Sequence, residues 1–221
     1  MKLATEDFLG RALLLVVLSM LTVLKAYSTI HVVQAQMPGW EFDLVAGVAG
    51  LAFQVLVIVL TLIRLPAKDS ALGWEPRLSA IAGSFLMLSV VALPPSAILV
   101  EWKMVAAGIT TVGVVLSLYC VWWLGRSFSI MATARKLVTA GPYAVVRHPL
   151  YASEMLTLSG IAITNFSLGA VVLLALTLGF QFRRMFNEER VLRAAFPEYE
   201  AYAASVPLIL PRFPRAAKTA A

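Results

Sequence analysis

The residues best suited to chemistry lie in the run Gly141-Pro142-Tyr143-Ala144-Val145-Val146-Arg147-His148-Pro149-Leu150-Tyr151, which carries one of only two histidines in the 221-residue chain. Pro149 suits the first position of a helix. Arg147 and His148 then stand where the chain turns into that helix, beside the positive end of its dipole and its unpaired N–H groups. Tyr151 follows three residues later, on the same face as His148. Such a turn suits an anionic or polar ligand group, although a lone histidine also fits a hydrogen-bonded structural role. The other histidine is His31, which leaves no second histidine to complete a usual zinc set, and no metal is expected.

Two further groups could join this turn. Arg183-Arg184-Met185-Phe186-Asn187-Glu188-Glu189-Arg190 puts Arg184 and Glu188 one turn apart on one helix face, and Glu189 likewise with Arg193. Such pairs are ordinary on a solvated helix end. Their position just below an apolar arm, level with His148, also allows them to line a cleft. Glu154 lies within the apolar arm that opens at Pro149. An acid against lipid is costly, so it is expected to face the bundle or the interface, in a structural pair or in a cavity. Phe196-Pro197-Glu198-Tyr199-Glu200-Ala201-Tyr202 adds aromatics that either cover the cleft or anchor at the interface. A Gly-x-Gly-x-x-Gly run, a P-loop, a nucleophile elbow and a His-Glu-x-x-His pair are all missing from the sequence.

The elements that must position these residues are membrane helices. Sixty per cent of the chain is hydrophobic and its mean hydropathy is +0.85, with the excess in long runs, whereas a soluble domain has about 45–50% apolar residues. The fold class expected is all-α: a polytopic helical membrane protein of about six transmembrane segments, with a C-terminal helical hairpin and a cytosolic cofactor pocket. Four spans of ~20 apolar residues are expected near 8–33, 44–65, 78–100 and 104–124. Pro94-Pro95 should kink the third span or end it early. The hairpin, near 150–164 and 168–182, turns at Asn165-Phe166-Ser167. Its second arm should continue as a polar helix from Arg183 to Ala195, where Pro197 interrupts it, before a basic tail carrying Pro207, Pro211 and Pro214. The chain divides into residues 1–124, the N-terminal transmembrane helices, and 125–221, the core that carries the motifs.

Charge sorts the loops. Setting aside Lys25 within the first span, sixteen of the remaining seventeen Lys and Arg residues fall on one side of this topology and only Lys103 on the other. The positive-inside rule then puts both termini and the loop before Pro149 in the cytoplasm. The net charge of +6 is therefore topological, and nucleic acid is not expected as a partner. A single cysteine, Cys120, excludes an intrachain disulfide framework and any Cys-rich metal site.

Leu137-Val138-Thr139-Ala140-Gly141-Pro142-Tyr143, Arg147-His148-Pro149-Leu150-Tyr151, Glu188-Glu189-x-x-Leu192 and Phe196-Pro197-Glu198-Tyr199-x-x-Tyr202 together resemble the isoprenylcysteine carboxyl methyltransferase family. The wider group includes membrane phospholipid N-methyltransferases. The resemblance covers roughly residues 124–212. It implies S-adenosylmethionine at the cytosolic face and a lipophilic small-molecule or lipid acceptor arriving from the membrane, in a bacterial inner membrane. Carried over by position, cofactor contacts fall on Lys136, Leu137, Val138, Tyr143, His148, Pro149, Leu150, Tyr151 and Glu188. Arg184 becomes the catalytic residue that contacts the acceptor, with Glu154 beside it. Two positions depart from the family's pattern: Ser153 stands where glycine is frequent, and Leu208 where many members have arginine. The residue chemistry agrees with the resemblance. Lys136, His148 and the helix N-terminus suit the cofactor's carboxylate, Glu188 its ammonium, and the tyrosines its base.

Two other functions fit parts of the sequence. Arg147-His148-Pro149-Leu150-Tyr151-Ala152-Ser153-Glu154 is also similar to a stretch of sterol and steroid reductases, which use NADPH. A non-catalytic membrane scaffold with a relict pocket is the third reading.

Overall fold

The computed structural model describes residues 2–36, 39–94, 96 and 98–211. Pro95 and the end of the basic tail, with Pro214, lie outside the described residues. The chain is an all-α polytopic membrane protein. In order, α1 is Lys2–Ala35, α2 Trp40–Ile63, α3 Trp74–Phe85, α4 Val100–Leu124, α5 Pro149–Thr164, α6 Leu168–Ala195 and α7 Tyr199–Ser205. Five stretches of the described residues, Gly10–Ala35, Trp40–Ile63, Trp74–Ala92, Val100–Ser127 and Leu168–Ala195, are long and apolar enough to cross a membrane. The sixth expected segment, α5, has 16 residues, or roughly 24 Å at 1.5 Å per residue, short of a ~30 Å hydrocarbon core.

The third span differs from a straight helix. Its α-helical part stops at Phe85 and continues as a 3-10 helix, Leu86–Ala92, ending before Pro94. The tightening thus precedes the prolines, and the span ends early rather than kinking at them. Residues 101–103, expected as a loop, are helical because α4 starts at Val100.

Small residues set how the helices meet. A Cβ at Gly113 of α4 would stand 2.6 Å from the Thr157 backbone nitrogen and 3.0 Å from the Ser153 carbonyl oxygen of α5. One at Gly160 of α5 would stand 2.8 Å from the Ala106 carbonyl oxygen and the Thr110 nitrogen of α4. Reciprocal glycines therefore allow the two backbones to touch, as membrane helices do where apolar burial against lipid supplies little drive. Ser117 and Ser153 add an Oγ–Oγ hydrogen bond of 2.8 Å at the same crossing. Ser153, one of the two family departures, thus serves the α4–α5 seam. Gly83 brings α3 against the backbone of Phe180 and Gln181 in α6. The short arm α5 consequently lies along α4, and α6 along α3. Gly160→Leu is expected to force this seam apart and destabilise the protein by more than the ~1–3 kcal/mol of ordinary overpacking, because backbone rather than side chain stands in the way. Denaturant unfolding in detergent followed by circular dichroism checks this, and an unchanged midpoint would contradict it.

At the basic end of the bundle the loops are tied together. A two-stranded antiparallel ribbon, β1 Asp69–Ser70 with β2 Thr133–Ala134, pairs Asp69 with Ala134 and Ser70 with Thr133. Leu65 N–H donates to Arg126 O (2.9 Å), and Arg126 Nε donates to Ile63 O (2.8 Å). Arg135, 3% exposed, donates to Leu65 O. The hydrophobic spacing of the spans gives no hint of this ribbon. At the opposite end, Ser96 Oγ donates to Phe166 O (3.2 Å), joining the α3–α4 connection to the α5–α6 turn. Ser167 caps α6 by accepting from Ala170 N–H at 3.1 Å.

Candidate functional site

The site begins at a glycine. Gly141 has φ +61°, and a Cβ there would run into the Trp123 ring at the end of α4. Both facts call for glycine, and the close approach lays the following loop against that helix end. Tyr143 is buried, its hydroxyl 3.5 Å from the Cys120 carbonyl, and burial pushes its phenol well above the ordinary tyrosine range. Its own carbonyl accepts a 2.6 Å hydrogen bond from Tyr202 of α7. Burial pushes the Tyr202 phenol up to about 12, so it donates at all physiological pH.

His148 caps α5, with Pro149 as the first helical residue. The His148 side chain is not free. Its Nε2 lies 2.8 Å from Glu189 Oε1, which leaves the other ring nitrogen for a ligand. Glu189, 6% exposed, is the centre of a charged knot. It accepts from Arg147 Nε at 3.0 Å and Nη2 at 3.4 Å, from the Tyr199 hydroxyl at 2.5 Å and from Arg193 Nη2 at 3.3 Å. Burial, then the hydrogen bond to Glu189, raises the Tyr199 phenol and keeps it a donor. Arg147 also clamps the tail, its Nη1 donating to Ala203 O (2.6 Å) and Val206 O (2.8 Å). The backbone N–H groups of Arg147 and His148 donate to Pro207 O (2.8 Å) and Leu208 O (3.0 Å). Leu208 contributes through its carbonyl, a contact that does not depend on its side chain.

One cleft is lined by Leu124, Ser127, Ser129, Thr133, Tyr143, His148, Leu150, Tyr151, Arg184 and Glu188. Six residues singled out from the sequence, namely Tyr143, His148, Leu150, Tyr151, Arg184 and Glu188, thus meet there. The Tyr151 hydroxyl donates to Glu188 Oε2 at 2.9 Å, its ring stands edge-on to His148 at 5.3 Å, and the Arg184 guanidinium lies 5.0 Å from its centroid. Arg184, 4% exposed, reaches Ser84 Oγ (3.3 Å) and Ser129 O (3.4 Å), and its Nη1 lies 3.7 Å from Glu154 Oε2. The i,i+4 pairing expected between Arg184 and Glu188 is replaced by these partners: Arg184 turns to Glu154 across the helices, and Glu188 turns to Tyr151. The Glu189–Arg193 pair forms as expected.

The sequence-derived contacts at 136–138 sit elsewhere. Lys136 is exposed and Val138 half-buried, and neither lines the cleft. Leu137 lines an open surface depression with Thr139, Glu198 and Tyr202. Pro149 is buried at the start of α5. Ser129, Gln181 and Asn187 about the site drew no role from the sequence, and Glu189 drew its pairing with Arg193 but not its place at the centre of the knot. Adjacent helical residues point ~100° apart. Of two neighbouring acids, therefore, only one can face the cleft, and that geometric signal was available for Glu188 and Glu189. Asn187, 1% exposed, donates to Glu75 at the start of α3 (3.1 Å) and to Ser79 (3.2 Å). No equally local signal marks Asn187.

Fold and site together define a polytopic helical membrane protein whose polar cleft opens at the basic end of its last helix pair. Residues 102–199 match the phospholipid methyltransferase family, part of the membrane methyltransferase group that the motifs resemble. Two curated relatives match. One is the cobalt-zinc-cadmium resistance protein CzcN of Cupriavidus metallidurans, 34% identical over 119 residues, which are 53% of this chain and 51% of the relative. The other is the nickel-cobalt-cadmium resistance protein NccN of Alcaligenes xylosoxydans xylosoxydans, 31% identical over 119 residues, 53% and 52% of the two chains. The chain therefore spans about half the length of these relatives. Among the described residues no group of three or more His, Cys, Asp or Glu could hold a metal ion.

Proposed function

We propose that this chain is an integral membrane methyltransferase that uses S-adenosylmethionine on a lipophilic small-molecule or lipid acceptor, with the cleft and both termini on the cytoplasmic side of an inner membrane. The observation that carries the reading is a coincidence of two findings. The family match over 102–199 covers the loop and helices whose side chains Tyr143, His148, Tyr151, Arg184 and Glu188 line one cleft.

The residues present fit the cofactor. Glu188 uses one carboxylate oxygen on Tyr151 and has another for an ammonium. The start of α5 supplies unpaired N–H groups for a carboxylate, and two tyrosine rings suit a flat base. Ser129 Oγ, a buried hydroxyl of a cleft-lining residue, has no hydrogen-bond partner, as expected where a polar ligand completes the wall. The cofactor supplies an already activated methyl group, so the protein's task is alignment and exclusion of water. Arg184 is the group that would hold the acceptor. The names of the two relatives speak of metal resistance, which gives no acceptor for this chain.

Calorimetry of the purified protein tests the reading. S-adenosylhomocysteine is expected to bind, with Glu188→Ala weakening it about tenfold or more through loss of a charge-assisted hydrogen bond. NADPH is expected not to bind. Absence of S-adenosylhomocysteine binding, or tight binding of NADPH alone, would overturn it.

A further inference from the structure

The cleft is too small for the cofactor as it stands. It encloses about 30 Å³, room for roughly two waters, whereas a ligand of that size fills a pocket of about 300–1,000 Å³. Space of that order lies beside it. The depression lined by Leu137, Thr139, Glu198 and Tyr202 measures about 370 Å³. Tyr143 divides the two: it lines the cleft, and its carbonyl accepts from the hydroxyl of Tyr202, which lines the depression.

The divide is fastened unevenly. The Tyr202 bond to Tyr143 O, at 2.6 Å, is short, whereas the Tyr143 hydroxyl lies 3.5 Å from Cys120 O, at the limit of a hydrogen bond. The rest of α7 is held independently of the Tyr202 hydroxyl. Tyr199 donates to Glu189, and Arg147 clamps Ala203 O and Val206 O. Moving α7 as a body would break several charge-assisted bonds at once. Turning the half-buried Tyr202 side chain breaks one neutral bond, and water from the open depression can replace it. Release of Tyr202 is therefore the cheapest way to loosen the wall at Tyr143.

We infer that Tyr202 is a latch: bonded to Tyr143 O it keeps cleft and depression apart, and released it joins them into one pocket that admits the cofactor. The inference rests on the proposed function in taking S-adenosylmethionine as the ligand. It carries a distinctive sign. A side chain that contacts a ligand, or braces its site, weakens binding when truncated. A latch that must open first lowers the apparent affinity by the fraction of molecules that stand open, so removing it tightens binding. One neutral hydrogen bond is worth a factor of about two to ten in such an equilibrium.

The test uses the full chain in lipid nanodiscs and Tyr202→Phe, which keeps the ring and removes the hydroxyl. Opening is read without any cofactor. Ser129→Cys puts a thiol in the cleft wall, where the native hydroxyl is buried, and its reaction with a water-soluble methanethiosulfonate is timed. Adding Tyr202→Phe should speed that reaction about two- to tenfold. The native Cys120, buried in α4, should keep its own rate, which controls for general loosening. With Ser129 intact, S-adenosylhomocysteine should bind Tyr202→Phe more tightly than wild type by a similar factor in calorimetry. The latch is overturned if labelling at position 129 does not rise, or if Cys120 labelling rises in step with it. It is equally overturned if S-adenosylhomocysteine binds wild type as tightly as the variant or more so. If labelling rises as expected while S-adenosylhomocysteine binds neither protein, the methyltransferase reading falls and the latch stands as the gate of the cleft.

Discussion

Glu189→Ala is expected to destabilise the protein by about 3–5 kcal/mol, the usual cost of removing one partner from a buried charged network, and to abolish binding at the cleft with it. The carboxylate holds together three parts of the chain. Arg147 and His148 belong to the loop before α5, Arg193 to α6 itself, and Tyr199 to the start of α7. Without it, the half-buried Arg147 guanidinium loses its only acidic partner among the described residues, and the tail carbonyls of Ala203 and Val206 remain as its anchors. Glu189→Gln keeps an acceptor oxygen but not the charge, and should cost less than Ala. Tyr199→Phe removes one hydrogen bond and should cost roughly 1 kcal/mol. The neighbouring acid is the control. Glu188 is half-buried and takes one hydrogen bond from Tyr151, so Glu188→Ala should leave the unfolding midpoint within about 1 kcal/mol of wild type while removing a cofactor contact. Denaturant unfolding of the three variants and Glu188→Ala, side by side, gives the ranking. Equal losses for the two acids would mean that the knot does not hold the site.

That contrast between adjacent acids marks how far the sequence could be read. The spans were legible because apolar runs of this length have one stable solution in lipid, a helix with every backbone group satisfied internally. The polar continuation to Ala195 was legible from its charge spacing, and the start of α5 from Pro149. Tyr151 and His148 sharing a face also followed from helical period. What the sequence hid depends on distance in the fold. Nothing local tells that Arg184 pairs with Glu154 on another helix instead of Glu188 one turn away, because the choice is made by how Gly83 sets α6 against α3. The ribbon joins Asp69 to Ala134, 65 residues further along the chain, in segments too short to show a strand period. Lys136 and Val138 were carried over by position in a motif, and the fold points the cleft past them to Ser127, Ser129 and Thr133.

Arg184→Ala should lower methyl transfer by about 10²–10³, the scale of losing one preorganised donor to the reacting group, with S-adenosylhomocysteine affinity little changed. The guanidinium cannot be deprotonated in a protein, so it is a fixed positive charge, and its present hydrogen bonds of 3.3 Å and 3.4 Å are long. A donor held so loosely by the protein is one whose better partner is a ligand. Arg184→Lys should rescue little. A lysine offers a point charge, whereas the planar fork reaches towards Ser129 on one side and towards Ser84 and Glu154 on the other. A loss of activity through unfolding is separable, because Ala also strips Glu154 of its cationic neighbour. The double variant Arg184→Ala/Glu154→Gln removes that uncompensated acid. It should therefore recover stability relative to Arg184→Ala without recovering turnover. Measured together, unfolding midpoint, S-adenosylhomocysteine affinity and turnover distinguish the roles. Turnover that returns with stability in the double variant would make Arg184 a structural residue, whereas stability that returns alone makes it the group that holds the acceptor.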